Sequence, residues 1–460
     1  MVAFSLPGSA RLHNLQQILS HRVEPQRCQE VFNLAANPEQ HLCTIRVSPG
    51  VTLFDQNVHI RVEGLIKHSK VTLQAWSFTE WRRKEVLFLS HGHFYADQDG
   101  VVDLDRDPSL GGTYTGVDPM GLFWSLKPLP SDPQHVRCVI KDVEKLFEMK
   151  LAVFPGHITP SHQTVTMETV LPLGTTVVHR SPKAADVKRM EIEEGQVRGT
   201  LFLPPGEGPH PGVIDMFGAA GGLMEIRASL MASHGFVTFA LAFFRYKDLP
   251  RTETELQFDY FEEAVEWFSK HPSVGRGGIG VVGTSSGGTQ GLLMAIQCPQ
   301  VKAVVNINGP PFRMVNNIYR RGELFVKAQQ PNHETLIVTD VGPISKTAFP
   351  VTMVVVVVVW KSSAHILCIS CDDDKTVDPK WAEQLRDLYP IDKRHLIDVV
   401  VYPGAGHLLE PPYTPLCRLC HTTMTELPVF WGGIARPHAT AQMDAWHRTL
   451  AFLRDSVVDK

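Results

Sequence analysis

The sequence predicts an α/β protein in two parts, an N-terminal β-sandwich followed by a parallel sheet wrapped in helices. Three observations carry that expectation. Between residues 43 and 170, apolar and polar residues alternate in short runs separated by turn residues, the pattern of strands with one face in a core. Beyond residue 197, β-branched runs and helix-period stretches follow one another in turn, the pattern of a parallel sheet with crossover helices. At residues 278–288 one such run (Ile279, Val281, Val282) passes straight into a glycine-rich turn and then a helix-forming stretch.

Size and composition set the frame. A chain of 460 residues is long for one core, so two domains are expected. With 43% hydrophobic and 20% charged residues and a formal charge of −4, it reads as an ordinary globular protein, with no basic bias toward nucleic acid. The longest apolar run, residues 351–360, is too short to span a membrane; its six consecutive valines, 354–359, suit a buried strand. Eight cysteines in this length do not make a disulfide scaffold, and without a secretory signal a reducing compartment follows. Cys368-x-x-Cys371 and Cys417-x-x-Cys420 lie too far apart for a zinc ribbon, and the first pair falls on a predicted buried strand, so no metal is expected.

Taken in order, residues 1–42 are irregular. Arg11 and Arg22, the lack of acidic residues before Glu24, and Leu12, Leu15, Ile18 and Leu19 at helical spacing give a weak likeness to a mitochondrial transit segment. In the β-rich part, 58–62 and 71–75 alternate, and 98–100 turn into 101–104; Asp103, Asp105 and Asp107 read as a solvated edge, and His91, His93 and Cys138 as packing or surface residues. Residues 171–196 are polar and charged, the composition of a linker. The parallel-sheet part runs from 197 to 460. Its strands are read at 212–216, 236–244, 302–307, 366–370 and 399–402, with a helix whose Phe258, Phe261, Val265 and Phe268 share one face.

Residues 283–287 read Gly-Thr-Ser-Ser-Gly, a G-x-S-x-G match at a strand-to-helix turn. A serine presented there sits in strained backbone. Glycines on either side let strand and helix approach without Cβ clashes, so Ser285 is the candidate nucleophile. A competing reading of Gly278-x-Gly280-x-x-Gly283 as a dinucleotide fingerprint fails on context, since its glycines precede and interrupt the strand and no acidic residue follows until Glu323. In a fold of this kind an acid follows a later strand and a histidine a still later one. Both places are filled: 372–374 are three aspartates, and His407 follows Gly404-Ala-Gly. His407 is then the base that takes the serine proton, and an aspartate holds its tautomer and stabilises its charge. The backbone N–H of Ser286 and one from the loop at 218–222, Gly218 or Ala219, are the expected oxyanion donors.

At these positions the chain resembles the type-I acyl-CoA thioesterases and their relatives, the bile acid-CoA:amino acid N-acyltransferases. The likeness rests on Gly111-Gly112, on 117–126 (Val-Asp-Pro-Met-Gly-Leu-Phe-Trp-Ser-Leu), 199–205, 214–218, 227–230 and 246–250, on 402–413 (Tyr-Pro-Gly-Ala-Gly-His-Leu-Leu-Glu-Pro-Pro-Tyr), and on Trp431-Gly-Gly433. It spans about residues 43 to 455. The resemblance implies an immunoglobulin-like N-terminal sandwich, a C-terminal α/β-hydrolase domain, a fatty acyl-CoA substrate and no cofactor. It places the nucleophile on Ser285, the histidine on His407 and the acid on Asp373, with Asp374 a rival because Asp374-Lys-Thr376 resembles the acyltransferase motif at this turn. Bile acid-conjugating members use a cysteine nucleophile; the serine here points to water as acceptor, and so to hydrolysis. Amino-acid conjugation and non-catalytic acyl-CoA binding stay as alternatives. Residues 344–364 depart from the family's polar segment. The last residues, 457–460, do not match a peroxisomal signal, which makes cytoplasm the expected location and mitochondrion the alternative.

Overall fold

The computed structural model describes residues 42–160, 170–349, 358–420 and 428–457. The N-terminal extension and most of the valine run lie outside the described residues; Val359, at the end of that run, is buried at the start of a 3-10 turn, Val359–Lys361.

Among the described residues, nine strands build the first region: β1 (Thr44–Ser48), β2 (Val51–Leu53), β3 (His59–Glu63), β4 (Lys70–Trp81), β5 (Lys84–Tyr95), β6 (Val102–Asp103), β7 (Lys127–Pro128), β8 (Phe147–Pro155) and β9 (Gly174–Ser181). They form two sheets, β1-β3-β6 and β2-β9-β8-β4-β5-β7. The period-two pattern explains the arrangement. Ile60 and Val62 of the small sheet meet Leu73, Ala75, Phe88, Leu151 and Val153 of the large one in a single core. The other face of the large sheet is covered too, by a smaller cluster around Trp76, Leu89 and Phe154. Strands β4 and β5 are joined by Arg82 and Arg83, both at positive φ (49° and 63°), as a two-residue hairpin of right-handed twist requires. No glycine or asparagine announces this turn.

The second region is one eight-stranded sheet in the order β10-β11-β13-β12-β14-β15-β20-β21. Its strands are β10 (Lys188–Glu194), β11 (Val197–Leu203), β12 (His210–Met216), β13 (Val237–Ala242), β14 (Val274–Thr284) and β15 (Val301–Ile307). Two hairpins intervene, β16 (Ile318–Arg320) with β17 (Glu323–Val326) and β18 (Ile337–Val338) with β19 (Pro343–Ile344), before β20 (His365–Cys371) and β21 (Ile397–Tyr402) complete the sheet. From β13 onward all neighbours are parallel.

Both faces of this sheet are covered, and its strands alternate between two cores. Ile214, Ile279, Val281, Val304 and Cys368 face a core that holds the helix Phe258–Ser269, whose Phe258, Phe261, Val265 and Phe268 do lie on one buried face. Val213, Val282, Val305, Leu367 and Cys371 face the other, closed by the helices Ile226–Ser233 and Ala435–Val457. The second of these has 23 residues and so runs about 35 Å along the sheet. Cys368 and Cys371, three apart on one strand, therefore point to opposite faces.

Residues 171–196, a linker by composition, are instead mostly strand. β9 pairs with β8 in the first region and β10 pairs with β11 in the second, so the crossing between regions is confined to the few residues after Ser181. Pairing partners distant in sequence, not local apolar content, make these charged residues strands. Buried polar contacts tie the regions together. Asp55 accepts from His234 Nε2 at 2.5 Å and Trp446 Nε1 at 2.7 Å; within the first region, the buried Arg180 guanidinium donates to the carbonyls of Leu53, Phe54 and Gln56 and so holds the segment that carries Asp55. Among the described residues no helix is long and apolar enough to cross a membrane.

Candidate active site

In an open parallel sheet, side chains gather for chemistry at the carboxyl ends of the strands, beside the point where the strand order reverses. Here the chain passes from β12 outward to β13, then returns to place β14 on the other side of β12. Ser285 follows β14 directly. Its φ of 56° and ψ of −123° are strained for a residue with a side chain, and they lift the hydroxyl out of the turn between β14 and the helix Ser286–Gln297. The flanking glycines are steric necessities. A Cβ on Gly283 would lie 2.3 Å from the Gly287 carbonyl oxygen, and one on Gly287 would lie 2.3 Å from that of Phe217.

His407 stands in the loop after β21, nearly inaccessible at 1%. Its Nδ1 lies 2.6 Å from Asp374 Oδ2. The backbone N–H groups of Thr376 and Val377 donate to Asp374 Oδ1 at 2.7 and 3.0 Å, which fixes the carboxylate. The imidazole stacks on the Trp431 indole, with ring centres 4.9 Å apart and planes 14° from parallel. Asn308 Nδ2 donates to the His407 carbonyl at 2.8 Å and holds the loop from below.

The geometry corrects the choice between adjacent aspartates. Asp373, favoured from the sequence, is turned away from the imidazole: its Oδ2 accepts from the Gly433 N–H at 2.7 Å and its Oδ1 pairs with Lys375. Asp372 accepts from the Gly404 N–H at 2.5 Å. The three carboxylates thus have three tasks, two tying loops and one facing His407. Successive residues leaving a strand point in different directions, and here Asp374, the rival to the residue the resemblance favoured, is the one directed at the histidine.

Ser285, His407, Gly218 and Ala219 line one cavity of about 680 Å³. Gly218 approaches Ser285 closely, since a Cβ on it would lie 2.8 Å from Ser285 Cβ. Ser286 opens the helix behind Ser285, where backbone N–H groups and the helix dipole favour an oxyanion.

Sequence reasoning missed several supports. The buried Arg227 guanidinium donates to Asp215 Oδ1 at 2.5 Å, Thr284 Oγ1 at 2.6 Å and the Met216 carbonyl at 2.9 Å, which clamps the ends of β12 and β14 together beneath Ser285. Burial pushes the Asp215 carboxyl above its ordinary range while Arg227 opposes the shift. Ser286 Oγ donates to Glu253 Oε1 at 2.7 Å, and Arg313 Nη2 donates to Glu253 Oε2 at 3.0 Å. Nothing local marked Glu253 or Arg313, which lie far from Ser286 in sequence.

The β-rich region, in which the sequence shows no catalytic cluster, also reaches the cavity. Trp81, Arg82, His135, Arg137 and Lys141 form part of its wall. Arg137 Nε donates to Glu410 Oε2 at 2.9 Å, across the boundary between the two regions.

Comparison with known proteins gives the same picture from both regions. The family model described as acyl-CoA thioester hydrolase/BAAT N-terminal region matches residues 55–194, and that described as BAAT/acyl-CoA thioester hydrolase C terminal matches residues 256–459. Mouse bile acid-CoA:amino acid N-acyltransferase is 39% identical over 429 residues, which cover 89% of this chain and 97% of that protein. Mouse acyl-coenzyme A thioesterase 3 is 35% identical over 440 residues, covering 92% and 96%. Human acyl-coenzyme A thioesterase 2, mitochondrial, is 35% identical over 444 residues, covering 92% and 86%. With both regions matched and such identity along most of its length, the chain belongs to the acyl-CoA thioester hydrolase/BAAT family.

Proposed function

We propose that the protein hydrolyses fatty acyl-CoA to a free fatty acid and CoA through an acyl-serine intermediate. The observation that carries this reading is a strained serine and a carboxylate-held histidine facing one cavity large enough for an acyl chain. Ser285 attacks the thioester carbonyl while His407 takes its proton, and Asp374 holds the imidazole and stabilises its positive charge. The N–H groups of Ser286 and of Gly218 or Ala219 stabilise the tetrahedral oxyanion. CoA leaves as a thiolate and needs little protonation. His407 then activates water to release the acid.

The family includes both thioesterases and an N-acyltransferase by name, so the acceptor must be argued from the nucleophile. An acyl-serine is an oxygen ester, less reactive toward an amine than an acyl-cysteine thioester, which favours water. Two sheets sharing one core support an immunoglobulin-like reading of the first region, and a relative named as mitochondrial supports mitochondrion as the alternative to a cytoplasmic site of action.

The experiment follows free thiol and product together. Mixing the protein with a long-chain acyl-CoA, with and without glycine, should release thiol and yield only free fatty acid by mass spectrometry. Acyl-glycine as the main product would replace this reading with amino-acid conjugation, and binding without thiol release would replace it with a carrier role.

A further inference from the structure

Cys420 also lines the cavity, and the reaction above does not use it. It lies on β22 (Leu419–Cys420), which pairs with β23 (Val429–Phe430) just ahead of Trp431. Cys417, three residues earlier, lies within hydrogen-bonding reach of Cys420, and both pack with Leu408, Phe217 and Trp431. Trp431 Nε1 donates to Cys420 Sγ at 3.1 Å, and the same indole stacks on His407. A thiol, an indole and the candidate base thus form one contiguous stack.

The surroundings set the reactivity of the two sulfurs apart. The hydrogen bond from Cys417, joined by the Trp431 N–H and the Arg137 guanidinium, holds the Cys420 thiol below its ordinary value, against burial and the Glu410 carboxylate. The partner thiol, Cys417, is pushed well above its ordinary value by that same hydrogen bond and by burial. Burial raises Cys43 to about 11 and Cys138, Cys298 and Cys368 to about 12, and pushes Cys371 up as well. An acidified thiol in a cavity wall, packed beside a second thiol, is the arrangement of a peroxide-sensitive pair.

We propose that Cys420 and Cys417 form a peroxide-reactive thiol pair in the cavity wall, Cys420 attacking and Cys417 resolving, and that their disulfide disturbs Trp431 and slows chemistry at His407. In the first step the Cys420 thiolate attacks one peroxide oxygen. The O–O bond breaks and, with one proton, water leaves and a sulfenic acid remains. In the second, the Cys417 sulfur attacks the Cys420 sulfur, its proton goes to the departing hydroxyl, and a second water leaves with the disulfide formed. The pair loses two electrons and the hydroperoxide gains them. The bond redirects Cys420 Sγ toward Cys417 and weakens the hydrogen bond from Trp431 that steadies the indole against the imidazole.

The test treats the full chain with hydrogen peroxide, quenches in acid, maps thiols by peptide mass spectrometry, and measures acyl-CoA turnover before and after dithiothreitol. Each variant is compared with its own reduced sample. A Cys417–Cys420 disulfide should form ahead of oxidation at Cys43, Cys138, Cys298, Cys368 and Cys371. Turnover should fall about tenfold to a hundredfold, as a base displaced by a fraction of an ångström predicts, and dithiothreitol should restore it. Cys417→Ser should leave Cys420 as a sulfenic acid that dimedone traps, and Cys420→Ser should keep its turnover through the same treatment. Equal inactivation of Cys420→Ser, oxidation of any of those five cysteines first, or a formed disulfide with unchanged turnover would each overturn the proposal. Thiol mapping is read without turnover, so an inactive reduced protein would count against thioester hydrolysis alone.

Discussion

The two regions contribute to one cavity in different ways. The parallel-sheet region holds the groups proposed for bond making at three of its strand ends: Ser285 after β14, Asp374 after β20 and His407 after β21. Each sits in a loop whose backbone is held by hydrogen bonds, so position is set by the sheet. The two-sheet region supplies wall, with Trp81 and Arg82 at the β4–β5 hairpin and Arg137 in the segment before β8. The proposed chemistry comes from one region alone, whereas both enclose the cavity. Changes on the sheet side should therefore act on kcat, and changes on the wall side on KM.

The largest effect should come from the nucleophile. Ser285→Ala should lower kcat by about 10⁴- to 10⁶-fold while acyl-CoA binding is kept, since the covalent route is lost and the cavity is not. Single-turnover kinetics with an equilibrium binding measurement checks both halves. Near-normal turnover would break the comparison at its first point.

Next is the aspartate facing the imidazole. Asp374→Asn should cost about 10⁴ in kcat with the fold intact, because an amide cannot hold the tautomer or balance the imidazolium. Asp373→Asn, one residue earlier, should stay within about tenfold, since it loses only a loop tie to Gly433 and a surface pair with Lys375. A large loss confined to Asp373→Asn would mean that the resting geometry is not the working one.

On the wall side, Trp81→Ala should raise KM about tenfold with kcat nearly unchanged, in keeping with about 1.5 kcal/mol of lost apolar contact in both ground and transition states. Steady-state kinetics on one acyl-CoA decides it. A fall in kcat with KM held would show that the β-rich region shapes the reacting centre and not only its enclosure.

The smallest shift concerns the acceptor. Ser285→Cys should divert some of the flux to acyl-glycine when glycine is present, because the intermediate becomes a thioester. Product ratios by mass spectrometry read this directly, and an unchanged ratio would show that the amine is excluded by the cavity.

The difference between regions also explains what the sequence made legible. Ser285 and His407 were readable because a strand-ending turn leaves a local signature, glycines around the serine and Gly404-Ala-Gly before the histidine. Phe258, Phe261, Val265 and Phe268 were readable because helical period is local too. Asp374 was not separable from Asp373, since the contacts that orient the two carboxylates, to His407 and to the Gly433 N–H, come from residues distant in sequence. The wall was missed for a different reason. Arg82 and Arg83 adopt positive φ without a turn residue to announce it, and Arg137 meets Glu410 only after both regions have folded. The clamp of Arg227 on Asp215 and Thr284, and that of Glu253 on Ser286 and Arg313, likewise join residues by tertiary contact alone.

The central claim is that Ser285 carries the acyl group and water removes it. Its most direct test is to mix the protein with acyl-CoA in ¹⁸O-labelled water, quench in acid within the first turnover, map the acylated peptide and weigh the released acid. The account predicts an acyl group on the peptide containing Ser285, one labelled oxygen in each fatty acid, and neither in Ser285→Ala. Acylation at another residue, or labelled acid formed at an unchanged rate by Ser285→Ala, would contradict it.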